Sequence, residues 1–389
     1  MATTPQAGLK KNGPTGGTVL LAENQVHGRN VRVWTSGATE APAWDAFLTG
    51  TPLGQFQQSS HWAGVKQQEG WKPIRRLFTC EDAVVGGFQV LARRSRFGRV
   101  GYVSKGPVLL ADHAQVANLL LEHMTRCARE NGLRALIVQP PDACRIFLPL
   151  LARKPFLENH VLRVIRANYV IDTSKGFAAV KKRMHAKTLQ RVRQAARRGV
   201  SIRDGEREDL PVFFELMLAT CERQGNVHPN PSRVELLVEM WDRFRPSGSI
   251  RLAFAQCDGA PVSGQLSILF GNRTTFLKKG WSGTHADRRP NQLLQYEEIK
   301  RAAEAGFACC DFAGLDTGTA KAMLRGAGPP AGPADTRDTF NLAFGGTPVL
   351  LPEARLLVPI PLLRTAYAVI APRLARLSLT RRLAQSVAG

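Results

Sequence analysis

Cations come in a block in this chain, while the familiar catalytic constellations are absent. Eight Lys and Arg fall within eighteen residues: Lys181-Lys182-Arg183, Lys187, Arg191, Arg193 and Arg197-Arg198. Val180, Met184, Leu189, Val192 and Ala196 approximate one apolar stripe at helical spacing, and Gly199 is a natural stop, so the segment reads as a single basic helix. Two roles fit it. It tracks phosphates by neutralising several of them, or it is a solvated face whose long stems cover a core edge. No aromatic residue interleaves the cations, so a nucleic-acid partner would be held by its backbone. Asp311, at the end of an apolar strand beginning at Cys309, could orient an amine or accept its proton; a plain strand-capping role fits it as well. His61, His185, His228 and His285 stand apart and read as structural or solvent-facing. No Gly-x-Ser-x-Gly elbow and no Cys-x-x-Cys pair occurs, and the seven cysteines are scattered, so no metal site or disulfide framework is expected.

The elements that must position these residues are written twice, about 174 residues apart. One copy runs from Arg76 through the acidic turn Glu81-Asp82 to Gly86-Gly87 and Leu91. The other runs from Arg251 through Asp258-Gly259 to Gly264 and Leu269. Each is a β-hairpin, and each leads to a further strand with a Lys-Gly, Lys105-Gly106 or Lys279-Gly280. A helix ending near Gly132 or Gly306 follows, then a closing apolar strand. Opening helices are read at 59–69 and 210–224, and the second copy inserts another at 232–244. A chain of 389 residues with 44% hydrophobic and 22% charged content suits two globular domains. The net charge of +22 favours polyanionic partners, although an Arg-rich genome contributes to such a balance too.

This order of elements is that of GNAT-type acyl-transfer domains, although the Gly-rich turn usual for acetyl-CoA pyrophosphate is absent from both copies. Further motifs carry a more specific resemblance. Gln57-Gln58-Ser59-Ser60-His61-Trp62 with Val65-Lys66 and Gly70-Trp71 resembles the opening of the Fem-type aminoacyltransferases. Tyr102 to Val108, the basic stretch from Lys187, Pro290 to Glu297, Asp311 to Gly314 and Phe340 to Gly346 are similar to later motifs of that family. The resemblance covers roughly residues 40 to 350 and implies an α/β (α+β) fold. Two tandem GNAT-like domains are expected, each a mixed sheet with packed helices: 31–170 completed by 343–389, then 171–342, after a flexible tail at 1–30. It implies transfer of an aminoacyl group, from aminoacyl-tRNA, to an amine of a cell-wall precursor, with the precursor on the first domain and the donor in a cleft between the two. An activated ester needs orientation and oxyanion stabilisation more than a nucleophile, which suits this sequence.

The same resemblance implies a catalytic site at Phe340, Asn341 and Asp311. It places Trp62, Lys66, Lys105, Gly106, Asn291, Gln292 and Tyr296 around the substrates and Lys187, Arg191, Arg193 and Arg197 on tRNA. Lys66 aligns with a lysine that binds precursor phosphates; an exposed helix lysine is the plain alternative. Asn341 departs from the family, which usually has a lysine after the aromatic matching Phe340. An acyl-CoA-dependent N-acyltransferase of envelope metabolism and a non-catalytic binder of anionic polymers therefore stay open. No cofactor is expected, and the partners are an aminoacyl-tRNA or acyl-CoA donor and a phosphate-bearing, lipid-linked acceptor. A cytoplasmic monomer is expected, with peripheral contact at the inner membrane face as an option. The stretch from Gly314 to Arg337, dense in Gly and Pro, reads as a surface loop, either a lid or an insertion. Pro352, Pro359, Pro361 and Pro372 are expected to cut the apolar, basic C-terminal part into short pieces.

Overall fold

The computed structural model describes residues 17–96, 98–160, 164–225, 227–328 and 337–376. The elements follow in chain order: β1 Val19–Val26, β2 Arg29–Ser36, α1 Pro42–Gly50, α2 Ser60–Gln67, β3 Lys72–Cys80, β4 Ala83–Ser95, β5 Gly98–Ser104, β6 Val108–Leu109, α3 Ala117–Glu130, β7 Leu133–Gln139, α4 Leu148–Leu151 and β8 Phe156–Glu158. Then come β9 Ala167–Asp172, α5 Phe177–Arg183, α6 Ala186–Arg197, β10 Ser201–Gly205, α7 Leu210–Arg223, α8 Val234–Phe244, β11 Ile250–Cys257, β12 Ala260–Phe270, β13 Arg273–Trp281, α9 Pro290–Glu304 and β14 Cys309–Asp311. The chain closes with α10 Thr317–Leu324, α11 Arg337–Leu342, β15 Thr347–Leu350, β16 Arg355–Leu357 and α12 Pro361–Arg376.

The chain divides into two units, residues 1–162 with 354–389 and residues 163–353. The first holds a sheet in the order β1-β2-β3-β4-β5-β7-β16-β8, with β6 beside β4; the second a sheet in the order β10-β11-β12-β13-β14-β9-β15. Within each, one neighbouring pair is parallel, β5 with β7 and β13 with β14. The duplication seen in the sequence is therefore real in three dimensions. Both hairpins turn on two residues with positive φ, Glu81-Asp82 and Asp258-Gly259, the geometry that matches strand twist. Both also bulge just before the closing cysteine, at Phe78/Thr79 and at Ala255/Gln256. A mixed sheet with helices packed on it is the expected α+β architecture.

Several expectations need correction. Residues 19–30 are not tail: β1 and β2 form an antiparallel hairpin there, while 1–16 lie outside the described residues. The unit boundaries fall at 162/163 and 353/354, because β9 pairs with β14 and β15 inside the second sheet. The basic segment is two helices. Met184 is extended and the His185 N–H donates to the Ala343 carbonyl, which breaks the helical ladder between α5 and α6. The Gly314–Arg337 stretch is not all loop, since Asp316 caps α10 by accepting from the Thr319 N–H at 2.8 Å. Residues 329–336, where the lid was expected, lie outside the described residues. After β16 completes the first sheet, α12 runs unbroken through Pro372 with Pro361 at its start. Leu362, Leu363, Val369 and Ile370 of α12 are exposed.

One close approach sets the shape of the second unit. A methyl on Gly280 would lie 2.7 Å from the Leu216 carbonyl carbon and the Met217 nitrogen, so α7 rests directly on β13. Gly280→Ala should therefore cost about 1–3 kcal/mol, measured as a lower urea midpoint at unchanged slope. An unchanged midpoint would mean that α7 is free to lift off the strand.

Candidate functional site

Within the second unit, α6, α7, β13, the start of α9 and the run from α11 to Phe344 surround a cavity of about 780 Å³. β13 carries the wall. Leu277 is an extra residue opposite the Leu266/Ser267 step, and such bulges re-aim the side chains that follow them. Phe276, Phe312, Phe340 and Phe344 supply an apolar side. Among the described residues the charged lining has one sign: Arg191, Lys278, Lys279, Arg289 and Arg337 line the cavity, and no Asp or Glu does. Such a surface attracts an anionic ligand.

At its floor, polar atoms are sealed from water without partners. These are Lys279 Nζ, both amide atoms of Gln265, Gln295 Nε2 and Arg289 Nε. Lys279 and Gln265 are direct cross-strand neighbours, so their side chains leave the same face together. Lys279 Nζ lies 4.0 Å from the centroid of the Phe340 ring. Its side chain is only partly covered as a whole, yet the nitrogen itself is inaccessible, and burial without a counter-charge pushes its pKa down to about 7. A buried polar atom left unpaired costs about 1–3 kcal/mol, and a native site that keeps several is shaped for a ligand that satisfies them.

The structure sorts the residues singled out from the sequence. It brings Phe340, Asn341, Asn291, Gln292 and Arg191 to the cavity. Asn291 is held there by Ser263, whose hydroxyl donates to Oδ1 at 2.6 Å. His228, read from sequence as bland, also lines it. Asp311 does not: its carboxylate accepts from Arg273 at 2.6 Å, from Asn168 at 2.8 Å and from the Ala313 N–H at 2.8 Å, which makes it a structural anchor. Tyr296 packs edge-on against Phe177 at 5.1 Å, in the core beneath the helices. Lys187, Arg193 and Arg197 are exposed, with Thr188, Val192 and Ala195 forming the buried stripe of α6.

In the first unit, Lys66 pairs with Glu69 and lies 5.1 Å from the Trp62 ring centroid, which in turn meets Phe56 edge-on. Both Trp62 and Lys66 keep partial exposure. Lys105 does not; it is buried in an ion pair with Asp142, and Gly106 beside it packs on Gln58 while its N–H donates to the Gln139 carbonyl. These two residues hold the turn after β5 and are not free to meet a substrate. Sequence reasoning passed over Lys279, Gln265, Gln295 and Arg289. The available signal was a lysine pair inside an apolar strand, where charged residues are rarely buried without a reason.

Comparison with known proteins gives this cavity a context. Residues 39–149 match the FemAB family and residues 182–321 match the acetyltransferase (GNAT) domain. The chain is thus similar to Fem-type proteins in its first unit and to GNAT domains in its second. It is 27% identical over 232 residues to a Lipid II:glycine glycyltransferase of Staphylococcus saprophyticus, covering 57% of this chain and 55% of that protein. The protein of the same name in Staphylococcus epidermidis is 23% identical over 346 residues, covering 70% and 82%. This chain thus spans about half the length of the first relative. The crystal structure of FemX superimposes with a TM-score of 0.72 at 19% identity, covering 85% of this chain and 98% of that one, which shows a shared fold.

The buried lysine has a stability signature. Unfolding returns it to the ordinary lysine value, so the unfolded chain binds more protons between about pH 7 and pH 10.5, and stability rises with pH across that window. Lys279→Met should stabilise the protein at pH 6, and its advantage over wild type should shrink by on the order of 2 kcal/mol by about pH 9. Urea unfolding at the two pH values checks it; a pH-independent advantage would mean the amine is hydrated in the folded state.

Proposed function

We propose that this chain transfers an aminoacyl group from aminoacyl-tRNA to an amine of a lipid-linked cell-wall precursor. The observation that carries the reading is the cavity in the second unit, lined among the described residues by five cations and no carboxylate, with unpartnered polar atoms at its floor. An aminoacyl ester at the 3′ end of an RNA has the features this site answers: phosphates for the arginines, and a small polar acyl group for the amides. Arg191 lines the cavity while Lys187 lies one turn before it on α6, so positive charge continues outward from the site. RNA phosphates would use such a track, and a compact coenzyme would not. Two relatives bear the name Lipid II:glycine glycyltransferase, which supports a lipid-linked acceptor. Trp62 and Lys66 are the groups of the first unit with the exposure and charge to meet its phosphate. No helix among the described residues is long and apolar enough to cross a membrane. The outward apolar face of α12, which carries no Asp or Glu, is suited to peripheral contact with an anionic leaflet.

The acyl-CoA reading keeps one specific support, the GNAT match over 182–321. The reading as a non-catalytic binder rested on Asn341, and Lys279 of β13 beside the Phe340 ring supports a catalytic site instead. A filter-binding titration with charged and uncharged tRNA at two salt concentrations decides between donors. Preference for charged tRNA is expected. Arg191→Glu should reduce that preference, while Arg193→Glu with Arg197→Glu should mainly flatten the salt dependence, by about 0.9 in slope for each phosphate no longer neutralised. Thermal stabilisation by an acyl-CoA, with tRNA binding blind to charging, would overturn the tRNA reading in favour of acyl-CoA.

A further inference from the structure

The transfer reaction has a proton to remove, and no residue assigned so far removes it. An attacking amine becomes positively charged as it bonds to the acyl carbon, and the adduct goes forward only if that proton leaves. Asp311, the carboxylate expected to accept it, is taken up by Arg273, Asn168 and Ala313 and does not line the cavity. Among the described residues no carboxylate lines the cavity.

We propose that Lys279 is the proton acceptor of this reaction, acting in its neutral form from the cavity floor beside Phe340, with Gln265 as its positioning neighbour. The geometry supplies the case. Lys279 Nζ is sealed from water, has no hydrogen-bond partner and lies 4.0 Å from the Phe340 ring centroid. Gln265, opposite it in register, is equally unpartnered at both amide atoms, so an acyl group seated between them would satisfy three polar atoms at once. No charge of opposite sign opposes this among the described residues that line the cavity. Around the cavity stand Arg191 from α6, Arg289 ahead of α9, Arg337 from α11 and Lys278 on the same strand, with His228 and Cys221 as the remaining titratable groups. None offers a counter-charge that would hold Lys279 protonated, and burial brings its pKa to about 7.

The step balances without any added reagent. The acceptor nitrogen bonds to the acyl carbon, and the C=O electron pair moves onto oxygen. The proton on nitrogen passes to Lys279 Nζ. As the carbonyl re-forms, the bond from carbon to the departing oxygen breaks and Nζ returns the proton to that oxygen. The lysine ends as it began, and the same account holds for a thioester, with sulfur departing.

This inference rests on the transferase reading, and the experiment separates the two. Turnover of the full chain is followed against pH with whichever donor, tRNA ester or CoA thioester, supports transfer. Wild-type kcat/KM should rise through about pH 7 and level off. Lys279→Met and Lys279→Arg should both lose about 100-fold or more in kcat, with little change in donor KM and with the pH limb gone. The arginine variant is decisive, because it keeps the positive charge but cannot act as a base. If Lys279→Arg retains most of the rate, the residue is an anion-binding group and the proposal is wrong. The limb should persist in His228→Asn and Cys221→Ser, whatever their rates; its loss in either would move the role there. Competitive acetylation of the donor-free wild type, read residue by residue by mass spectrometry, supplies an arm independent of activity. Lys279 should react as an amine half-neutral near pH 7. Titration near the ordinary lysine value would overturn the proposal even if transfer is observed, whereas absence of transfer with either donor would count against the transferase reading alone.

Discussion

The second unit is organised by the contact between α7 and β13. Because Gly280 has no side chain, the Leu216–Met217 backbone lies on the strand itself, and the strand is gripped from the other side by β12. Between those restraints the bulge at Leu277 turns the following residues, so that Lys279 and Gln265 leave one face together under the cover of α11. Phe340 then closes over the amine, and Phe344, 5.2 Å from Phe340, joins that ring to the core. Aromatic packing among Phe276, Phe312 and Phe344 offsets the penalty of sealing polar atoms that have no partners. Stability is given up at one spot in the interior, and the surrounding apolar packing is what makes that tolerable.

Electrostatics follows from the same arrangement. A lysine sealed from water without a counter-charge is pushed towards its neutral form, and an anionic donor would reverse part of that bias. Phosphate bound by Arg191, Arg289 or Arg337 brings negative charge near the amine and raises its affinity for a proton. The group would thus be a weak base in the empty cavity and a stronger one with donor in place. Donor binding thereby strengthens the base and moves to higher pH the range in which the amine is neutral. A carboxylate in the same position would repel the incoming phosphate, whereas the amine, once protonated, attracts it.

Much of the fold was legible because it rests on local signals. The acidic turns Glu81-Asp82 and Asp258-Gly259 demand positive φ, and the Gly132 and Gly306 stops end their helices where the spacing says they should. Those signals, repeated, gave the duplication. The misreadings all involve non-local partners. Nothing near Met184 in sequence announces that Ala343 will take the His185 N–H and split the basic helix. The edge pairing of β9 with β15 likewise moved the unit boundary, because strand neighbours far apart in sequence leave no periodic trace. The site was legible in part for the same reason. Motif resemblance reached Phe340 and Asn291, but Lys279 matters only through what surrounds its tip.

The duplication supplies its own control on that point. Each copy carries a Lys-Gly after its hairpin, and each lysine is withdrawn from water, but the two meet different surroundings. Lys105 faces Asp142. A buried pair of this kind is held by mutual attraction, and removing one partner strands the other, so the lysine is fixed as part of the turn. Lys279 faces an aromatic ring and an unpartnered amide. With no carboxylate to hold the charge, the less costly outcome in a low-dielectric site is to release the proton. A neutral amine is a hydrogen-bond acceptor and a base, and a charged one is neither. The same dipeptide therefore serves as scaffold in one unit and as reactive group in the other, and the residue that decides between them is the carboxylate at 142.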